Sequence, residues 1–536
     1  MRILRAWADR QLRGQIQRVE QYLESEPAVP SRERPVLVFN ASTRIHTLSL
    51  NAAFSLLASW GLRAREVPVS YLVCRQGMQQ CILGTDRQRL DKGPPCRPCL
   101  RFSELLFPER LTTWLRPVPE VYEAVRAEFA DFSLGELKDW TYRDYPLGDL
   151  CLPGLRWVLR RHDLPDSEGV RGLYRQYLRS AAGLVERFEE IFETEQPRAL
   201  LLFNGITYPE AVARAVAQRR GIRTVTHEVG LQPQSAYFSH EDATFREVPV
   251  PEEYQLSELQ QGELDAYLQG RRQGRFSMAG VEFWPKMDEL PDGVQEKLDQ
   301  FDRMVVAFTN VIFDTSQVHA NVLFEDMFDW LDWLAGKIRQ HPDTLFVLRA
   351  HPDENRPGKE AAQSVAAWFR DSDLKEAENV LFFSPEEFVS SYQLIEAAHL
   401  VLVYNSSIGL EASIMGAPVL SAGRARYTQS DTVDFPDTRA AYERLLEEYL
   451  IRDEITPPAR YAQNARRFLY RELHEASLDF SGYLRPYPSI PGMVLFERFE
   501  PDELRRDETL DVIRDGILGG EPFLKQTSSR AVETTV

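Results

Sequence analysis

Short apolar runs and amphipathic stretches alternate along this chain in two blocks. The first opens with PVLVFNAS (35–42), an apolar run ending in small polar residues, followed by the helix-like LSLNAAFSLLASWG, which the pattern ends at Gly61. RALLLFNGITYPEAVARAVAQRRGIRTVTHEVG (198–230) repeats the unit as strand, turn, helix, a stop at Gly221 and a second strand. The second block is more regular: MVVAFTN (304–310), TLFVLRAHP, NVLFFS, LVLVYN and APVLSAG read as strands. Between them fall helices over EDMFDWLDWLAGKIRQ, with Met327, Phe328, Leu331, Leu334 and Ile338 inward, over about 359–371, from Glu386 to Ala397 and from Ser407 to Met415. Such alternation builds parallel sheets with crossover helices. The pattern therefore predicts an α/β protein of two Rossmann-like lobes, the second a doubly wound sheet of at least five parallel strands.

The remaining segments carry weaker patterns. Residues 1–25 place Ile3, Leu4, Trp7, Leu12, Ile16, Val19 and Leu23 on roughly one side, with Arg2, Arg5, Arg10, Arg13 and Arg18 over the rest. A basic amphipathic helix of this kind either packs on its own protein or lies on an anionic membrane surface. From about 100 to 195 the chain is helical in pattern and rich in aromatics and charge, which reads as a helical insertion in the first lobe. Residues 252–300 turn acidic and polar and read as the link between lobes. Residues 437–475 are helical, and KQTSSRAVETTV reads as a disordered tail. Four units result: an N-terminal helix (1–34), a first Rossmann-like lobe with a Cys-rich loop and the insertion (35–300), a second lobe (301–440), and C-terminal helices with the tail (441–536).

Composition narrows the class. A chain of 536 residues exceeds what a single core organises, and 43% hydrophobic with 27% charged residues is globular usage. No run of about 18 apolar residues exists to cross a bilayer. The start, MRILRAWADRQLRGQIQ, is too charged for a secretory signal, which points to the cytoplasm, free or peripheral at the inner face of the plasma membrane. A net charge of -18 argues against sequence-independent binding to nucleic acid. Four of the five cysteines cluster as Cys74, Cys81, Cys96 and Cys99. The closing C-x-x-C has metal-ligand spacing and the first pair is too wide for a standard zinc ribbon. A structural zinc or iron–sulfur site is one reading; reduced thiols in a loop-rich insertion is the other.

In open parallel sheets ligands bind at the carboxyl ends of the strands, where loops lead into helix N-termini. Three second-lobe loops bring suitable residues there: Thr309 and Asn310; His351 and Pro352, with Arg349 two residues back; and Asn405, Ser406 and Ser407. Ser406 or Ser407 is placed to cap the following helix and hold a phosphate, and Glu411 lies one turn on, on the same face, where a carboxylate accepts from ribose hydroxyls. The plain alternative is a capped helix with a solvated Glu, and a polar loop residue for His351.

The pairing of AHPDE with YNSSIGLEASIMGAPVL resembles the nucleotide-binding lobe of GT-B glycosyltransferases, in particular bacterial capsule-polysaccharide biosynthesis proteins and Kdo- and sialyltransferase-type enzymes. The similarity covers about 300–425 and is vaguer over 35–60 and 198–240. It implies that His351 and Pro352 match the His-Pro motif and Ser406 and Ser407 the paired-hydroxyl motif that hold the donor phosphate, and that Glu411 matches the ribose-binding acid of related enzymes. Sialyltransferase-like relatives carry an acidic pair followed by Gly in the first lobe. Here THEVG (226–230) stands instead, with only Glu228 and Gly230 comparable. Glu228 is the candidate base, His227 its rival, and Asn204 and His46 are acceptor or donor contacts by loop position alone.

The expectation is an inverting transferase moving a sugar from a CMP- or UDP-linked donor to a carbohydrate or lipid-linked acceptor. It needs no cofactor at the donor site, because helix N-termini, serines and His351 neutralise the leaving phosphate. No Asp-x-Asp motif ends a strand, while Asp353 and Glu354 remain loop acids able to bind a cation. Rival readings are a nucleotide-sugar 2-epimerase, a non-catalytic scaffold of polysaccharide assembly, and a polymer-phosphate transferase.

Overall fold

The run VLVFN forms strand β1 (Val36–Asn40) and is buried at every position, as a strand is when helices cover both faces of its sheet. The computed structural model describes residues 2–25, 34–42, 47–129, 131–273, 277–278, 281–282, 290, 292–488 and 490–525. Around β1 the first lobe is built from α1 (Arg2–Ser25), α2 (Leu50–Ala64), β2 (Val69–Cys74), α3 (Cys96–Leu106), β3 (Thr112–Leu115), α4 (Pro119–Glu128), α5 (Leu134–Lys138), α6 (Leu147–Leu159), α7 (Glu168–Glu195), β4 (Ala199–Phe203), α8 (Glu210–Arg219), β5 (Arg223–Val229) and β6 (Ser235–Ser239). Then come α9 (Glu258–Arg272), the small pair β7 (Ser277–Met278) and β8 (Val281–Glu282), and α10 (Asp292–Leu298).

The second lobe runs β9 (Arg303–Phe308), α11 (Met327–Gln340), β10 (Thr344–Arg349), α12 (Val365–Asp371), β11 (Val380–Phe383), α13 (Ser391–Ala397), β12 (Leu400–Val403), α14 (Ile408–Ile414) and β13 (Val419–Ser421). The chain closes with α15 (Arg439–Ile451), α16 (Ala459–Tyr470), β14 (Leu478–Asp479), β15 (Leu484–Pro486), β16 (Val494–Phe496), α17 (Glu503–Arg506) and α18 (Glu508–Gly519).

The sheets share one topology. The first has order β14-β6-β5-β4-β1-β2-β3, parallel from β5 to β3 and antiparallel at β6 and β14; the second is β11-β10-β9-β12-β13, parallel throughout. In each, the first strand is central. The chain moves outward on one side (β2 and β3; β10 and β11), then returns to the other (β4 and β5; β12 and β13). That reversal opens a crevice between β1 and β4 and another between β9 and β12. This is the expected α/β pair of Rossmann-like lobes in the GT-B arrangement, with the expected five parallel strands in the second.

Three local expectations change. Gly61 does not end a helix: α2 continues to Ala64, and a Cβ on Gly61 would lie 3.0 Å from Leu510 Cβ, so the glycine is where α18 crosses α2 closely. The helical insertion contains β3, an edge strand paired to β2 through Tyr71↔Thr112 and Cys74↔Leu115. Residues 441–536 do not stay together. α15 packs Tyr442, Leu446 and Leu450 into the second lobe, whereas Leu510, Ile513 and Ile517 of α18 pack with Val36, Val38 and Phe54 of the first. The tail from 526 lies outside the described residues.

The apolar side of α1 is covered by the protein itself along its second half. Leu12, Ile16 and Val19 are buried, Gln15 Nε2 donates to the Phe499 carbonyl at 3.0 Å, and Glu20 accepts from Trp60 Nε1 (3.0 Å) and Arg63 (2.7 Å). Among the described residues no helix is long and apolar enough to cross a membrane.

Glu354, fully buried beneath the rim of the second lobe, accepts the Val365 N–H at the head of α12 (3.0 Å), and burial pushes its carboxyl up to about 8. The folded chain holds this proton to about pH 8 while the unfolded chain releases it near the ordinary 4.5. Its contribution to stability is therefore fullest below that ordinary value and is lost as pH rises toward the folded value. Glu354→Gln, which removes the titration but keeps an acceptor, is expected to gain melting temperature relative to the parent between about pH 5 and pH 8. Thermal melts across that range check it; a constant difference contradicts it.

Candidate functional site

A cavity of about 630 Å³ lies between the lobes, where the carboxyl ends of both sheets face each other. The first lobe contributes the end of β1 (Asn40 to Ser42), Asn51 and Ser55 of α2, Asn204 after β4, and Glu228 of β5. The second contributes Asn310 after β9, His351 and Asp353 after β10, Asn405 and Ser407 after β12, and Arg424 to Tyr427 after β13.

Glu228 is the best-defined group on the first-lobe wall. Its Oε2 accepts from Asn204 Nδ2 (2.9 Å) and its Oε1 from Asn51 Nδ2 (3.2 Å) and from the Val229 N–H (2.9 Å). Asn204 takes a left-handed φ of +53°, a conformation asparagine tolerates, and so turns its amide from the end of β4 toward β5. Burial pushes the Glu228 carboxyl above the ordinary glutamate range against the pull of these donors. An oriented carboxylate with raised basicity is what a general base requires.

His227, the rival base, is removed from this role by strand geometry. Adjacent strand residues point to opposite faces, and the His227 ring lies fully buried between Phe203 and Phe238, outside the cavity lining. Its Nε2 is 2.6 Å from Ser55 Oγ, and burial lowers its pKa to about 3.

On the second lobe, the His351 ring nitrogen Nδ1 accepts the Asp353 N–H at 3.1 Å, so the neutral ring carries its proton on Nε2. Burial lowers its pKa, which keeps that neutral tautomer in place as a donor. Asn405 is held by Gln317 Nε2 on its Oδ1 (3.0 Å) and donates to the Ser316 carbonyl (3.3 Å). Ser407 is exposed into the cavity, whereas Ser406 is buried and its carbonyl accepts from Tyr427 Oη at 2.7 Å. Gly409 makes that contact fit: a Cβ there would lie 2.4 Å from Tyr427 Oη.

Several expectations are corrected here. Neither serine side chain caps α14; the Gly409 and Leu410 N–H groups bond the Ser406 and Ser407 carbonyls instead. Glu411 lines the cavity but is engaged by Arg271 of α9 in a two-pronged pair (2.7 and 3.2 Å) and by the Tyr392 hydroxyl, so it is not an open ribose acceptor. Arg349 is almost fully buried, donates to the Ser384 carbonyl at 2.7 Å, is held at about 10 by burial, and braces the end of β10 rather than the cavity. Thr309 Oγ1 donates to the Arg349 carbonyl (3.1 Å) behind the rim, and Pro352 opens the next helical turn without lining the cavity. His46 lies outside the described residues.

The structure adds residues that the sequence reading passed over. Arg424, directly after β13, lines the cavity with its guanidinium 5.4 Å from the Phe245 ring centroid and has no acidic partner among the described residues. Arg246 and Arg426 converge on Glu472 at 2.5 and 3.1 Å. The Arg pair in RARYTQ could have been flagged by its place after a strand; Glu472 and Arg271, in a distant helical segment and the supposed link, could not. Among the described residues only His162, Asp163 and Asp326 bring three metal-type ligand atoms together. There Arg156 Nη2 already sits 2.9 Å from His162 Nε2, which disfavours a cation.

Two facing Rossmann-like lobes with a cavity at their carboxyl ends define a GT-B architecture. Residues 288–433, well under half of the chain, match the family described as capsule polysaccharide biosynthesis protein. No curated protein matches. Among solved structures, a β-Kdo 2,4-transferase, KpsC of Thermosulfurimonas dismutans, aligns over 60% of this chain and 93% of its own at 12% identity, TM-score 0.34. The β-Kdo 2,7-transferase of that protein aligns over 58% and 85% at 14% identity, TM-score 0.31. UDP-GlcNAc 2-epimerase of Methanocaldococcus jannaschii aligns over 82% and 98% at 10% identity, TM-score 0.25.

Proposed function

We propose that this protein is an inverting glycosyltransferase of surface-polysaccharide assembly, moving a sugar from a CMP- or UDP-linked donor to a carbohydrate or lipid-linked acceptor. One observation carries the reading: Glu228, clamped by Asn51 and Asn204, faces the second-lobe loops bearing His351, Asn405 and Ser407 across a single cavity. The match of residues 288–433 to the capsule family supports the substrate class.

In the proposed step the acceptor hydroxyl gives its proton to Glu228 as its oxygen bonds the anomeric carbon. The bond from that carbon to the donor phosphate breaks on the opposite face, inverting configuration. His351 Nε2–H and the Ser407 hydroxyl donate to the leaving phosphate, and Arg424 balances its charge.

Isothermal titration of the purified protein with CMP, UDP, UMP and GDP tests the donor site. One nucleotide is expected to bind selectively, and His351→Ala and Arg424→Ala to weaken it by about tenfold or more, as for loss of a charge-assisted hydrogen bond. Absence of binding, or variants that bind as the parent does, removes the donor site. Conversion of a nucleotide sugar without any acceptor would instead mark an epimerase.

A further inference from the structure

Four cysteines outside the transfer chemistry are gathered by the first lobe. Cys74 ends β2, Cys81 follows in the loop that leaves it, and Cys96 and Cys99 occupy the first turn of α3. The segment 75–95 has no strand and one short helical turn (Ile82–Gly84), yet it is drawn tightly together. A Cβ on Gly84 would lie 2.4 Å from Pro94 Cβ and 2.9 Å from Cys81 Sγ, and Gln80 Nε2 donates to the Lys92 carbonyl at 2.8 Å. From the sheet side, Ser42 Oγ reaches Cys99 Sγ at 3.7 Å. All four are free thiols.

Four partly buried thiols without disulfides in a segment with so little regular structure call for another tie. A tetrahedral zinc, at about 2.3 Å from each sulfur, would hold the sulfurs about 3.8 Å apart. No three of these sulfurs lie within 4.8 Å of one another. An iron–sulfur cluster takes its thiolates on separate irons and so accepts a wider set. The charge agrees. Between Cys74 and Arg101 stand Arg75, Arg87, Arg89, Lys92, Arg97 and Arg101 against Asp86 and Asp91, in a chain of net charge -18. Arg97 and Arg101 have no acidic partner among the described residues, which suits a cluster made anionic by its thiolates.

We propose that Cys74, Cys81, Cys96 and Cys99 ligate an iron–sulfur cluster that fixes this segment to the first lobe. Met78, Cys81, Ile82 and Leu83 of the same segment line the cavity, so the cluster sets the shape of the first-lobe wall. The assignment is independent of the transfer chemistry.

The test is metal content of the full chain purified without oxygen. Iron and acid-labile sulfide are expected together at about two to four per chain, with a visible absorption band bleached by dithionite. Both are expected to be lost in the double variant Cys96→Ser with Cys99→Ser and kept in Cys151→Ser, whose thiol is buried in α6. Zinc at about one per chain without sulfide overturns the iron–sulfur assignment, and absence of both metals overturns a metal site altogether. Because the parent chain itself is assayed, a variant that fails to fold leaves the answer standing.

Discussion

Glu228→Gln is expected to lower turnover by about 10²–10⁴-fold while nucleotide affinity stays within about twofold. The amide keeps the size of the side chain and, with its oxygen in the Oε1 position, still accepts from Asn51 and Val229, so the wall is held by two of its three donors while proton acceptance and the Asn204 bond to Oε2 are lost. The parent adds a second signature. Because burial raises the Glu228 carboxyl, kcat/KM should fall on the acid side as pH drops through a value above the ordinary 4.5, and that limb should vanish in the variant. Initial rates with the nucleotide sugar found by titration measure both. A variant with parental turnover would take Glu228 out of the chemistry.

The second large effect concerns stability. Glu472 is almost fully buried and balances two arginines, Arg246 at 2.5 Å and Arg426 at 3.1 Å, with the Arg246 guanidinium 3.1 Å from the Tyr237 ring centroid. Removing one partner of a buried ion pair leaves the other charge uncompensated, at a cost of about 3–5 kcal/mol. Glu472→Ala is therefore expected to unfold at markedly lower denaturant or temperature. Glu472→Met combined with Arg246→Met should recover part of the loss, since the more deeply buried arginine goes with its partner and only the partly exposed Arg426 is left unpaired. A single variant as stable as the parent would mean that these charges are already solvated through the cavity.

Much of the second lobe was legible because its signals are local. Each strand is a short apolar run ending in small polar residues, and the loops after β9, β10 and β12 lie at one rim because a parallel sheet aligns all its carboxyl ends. The first lobe was harder to read. β3 is a four-residue edge strand, TTWL, with mixed burial, so it lacks the apolar run of a central strand. Gly61 carried a stop signal that packing against α18 overrode, because close helix crossing rewards the missing side chain more than helix propensity penalises it.

The candidate site divides in the same way. THEVG offered two bases, and period-two alternation requires that they face opposite sides. Which side meets the cavity depended on α2 covering one face with Ser55 and on the second lobe standing off the edge of the other. Glu411 read as an open carboxylate because its partner Arg271 is 140 residues away in α9. Glu472 reaches the cavity wall only because the chain returns from the second lobe to the first after α16.

The sequence by itself determined the two alternating α/β blocks, the rim loops of the second lobe and the pair Glu228 and His227 as candidate bases. Those follow from periodicity and from interactions within a few residues. The tertiary structure alone decided that Glu228 rather than His227 faces the cavity, that Arg349 and Glu411 are engaged elsewhere, and that Arg424 and Arg426 stand with His351 and Ser407. Those arrangements depend on segments far apart in the chain: Glu411 meets Arg271 of α9 140 residues away, Arg349 meets the Ser384 carbonyl after β11, and Arg424 and Arg426 share a cavity lining with His351 and Ser407.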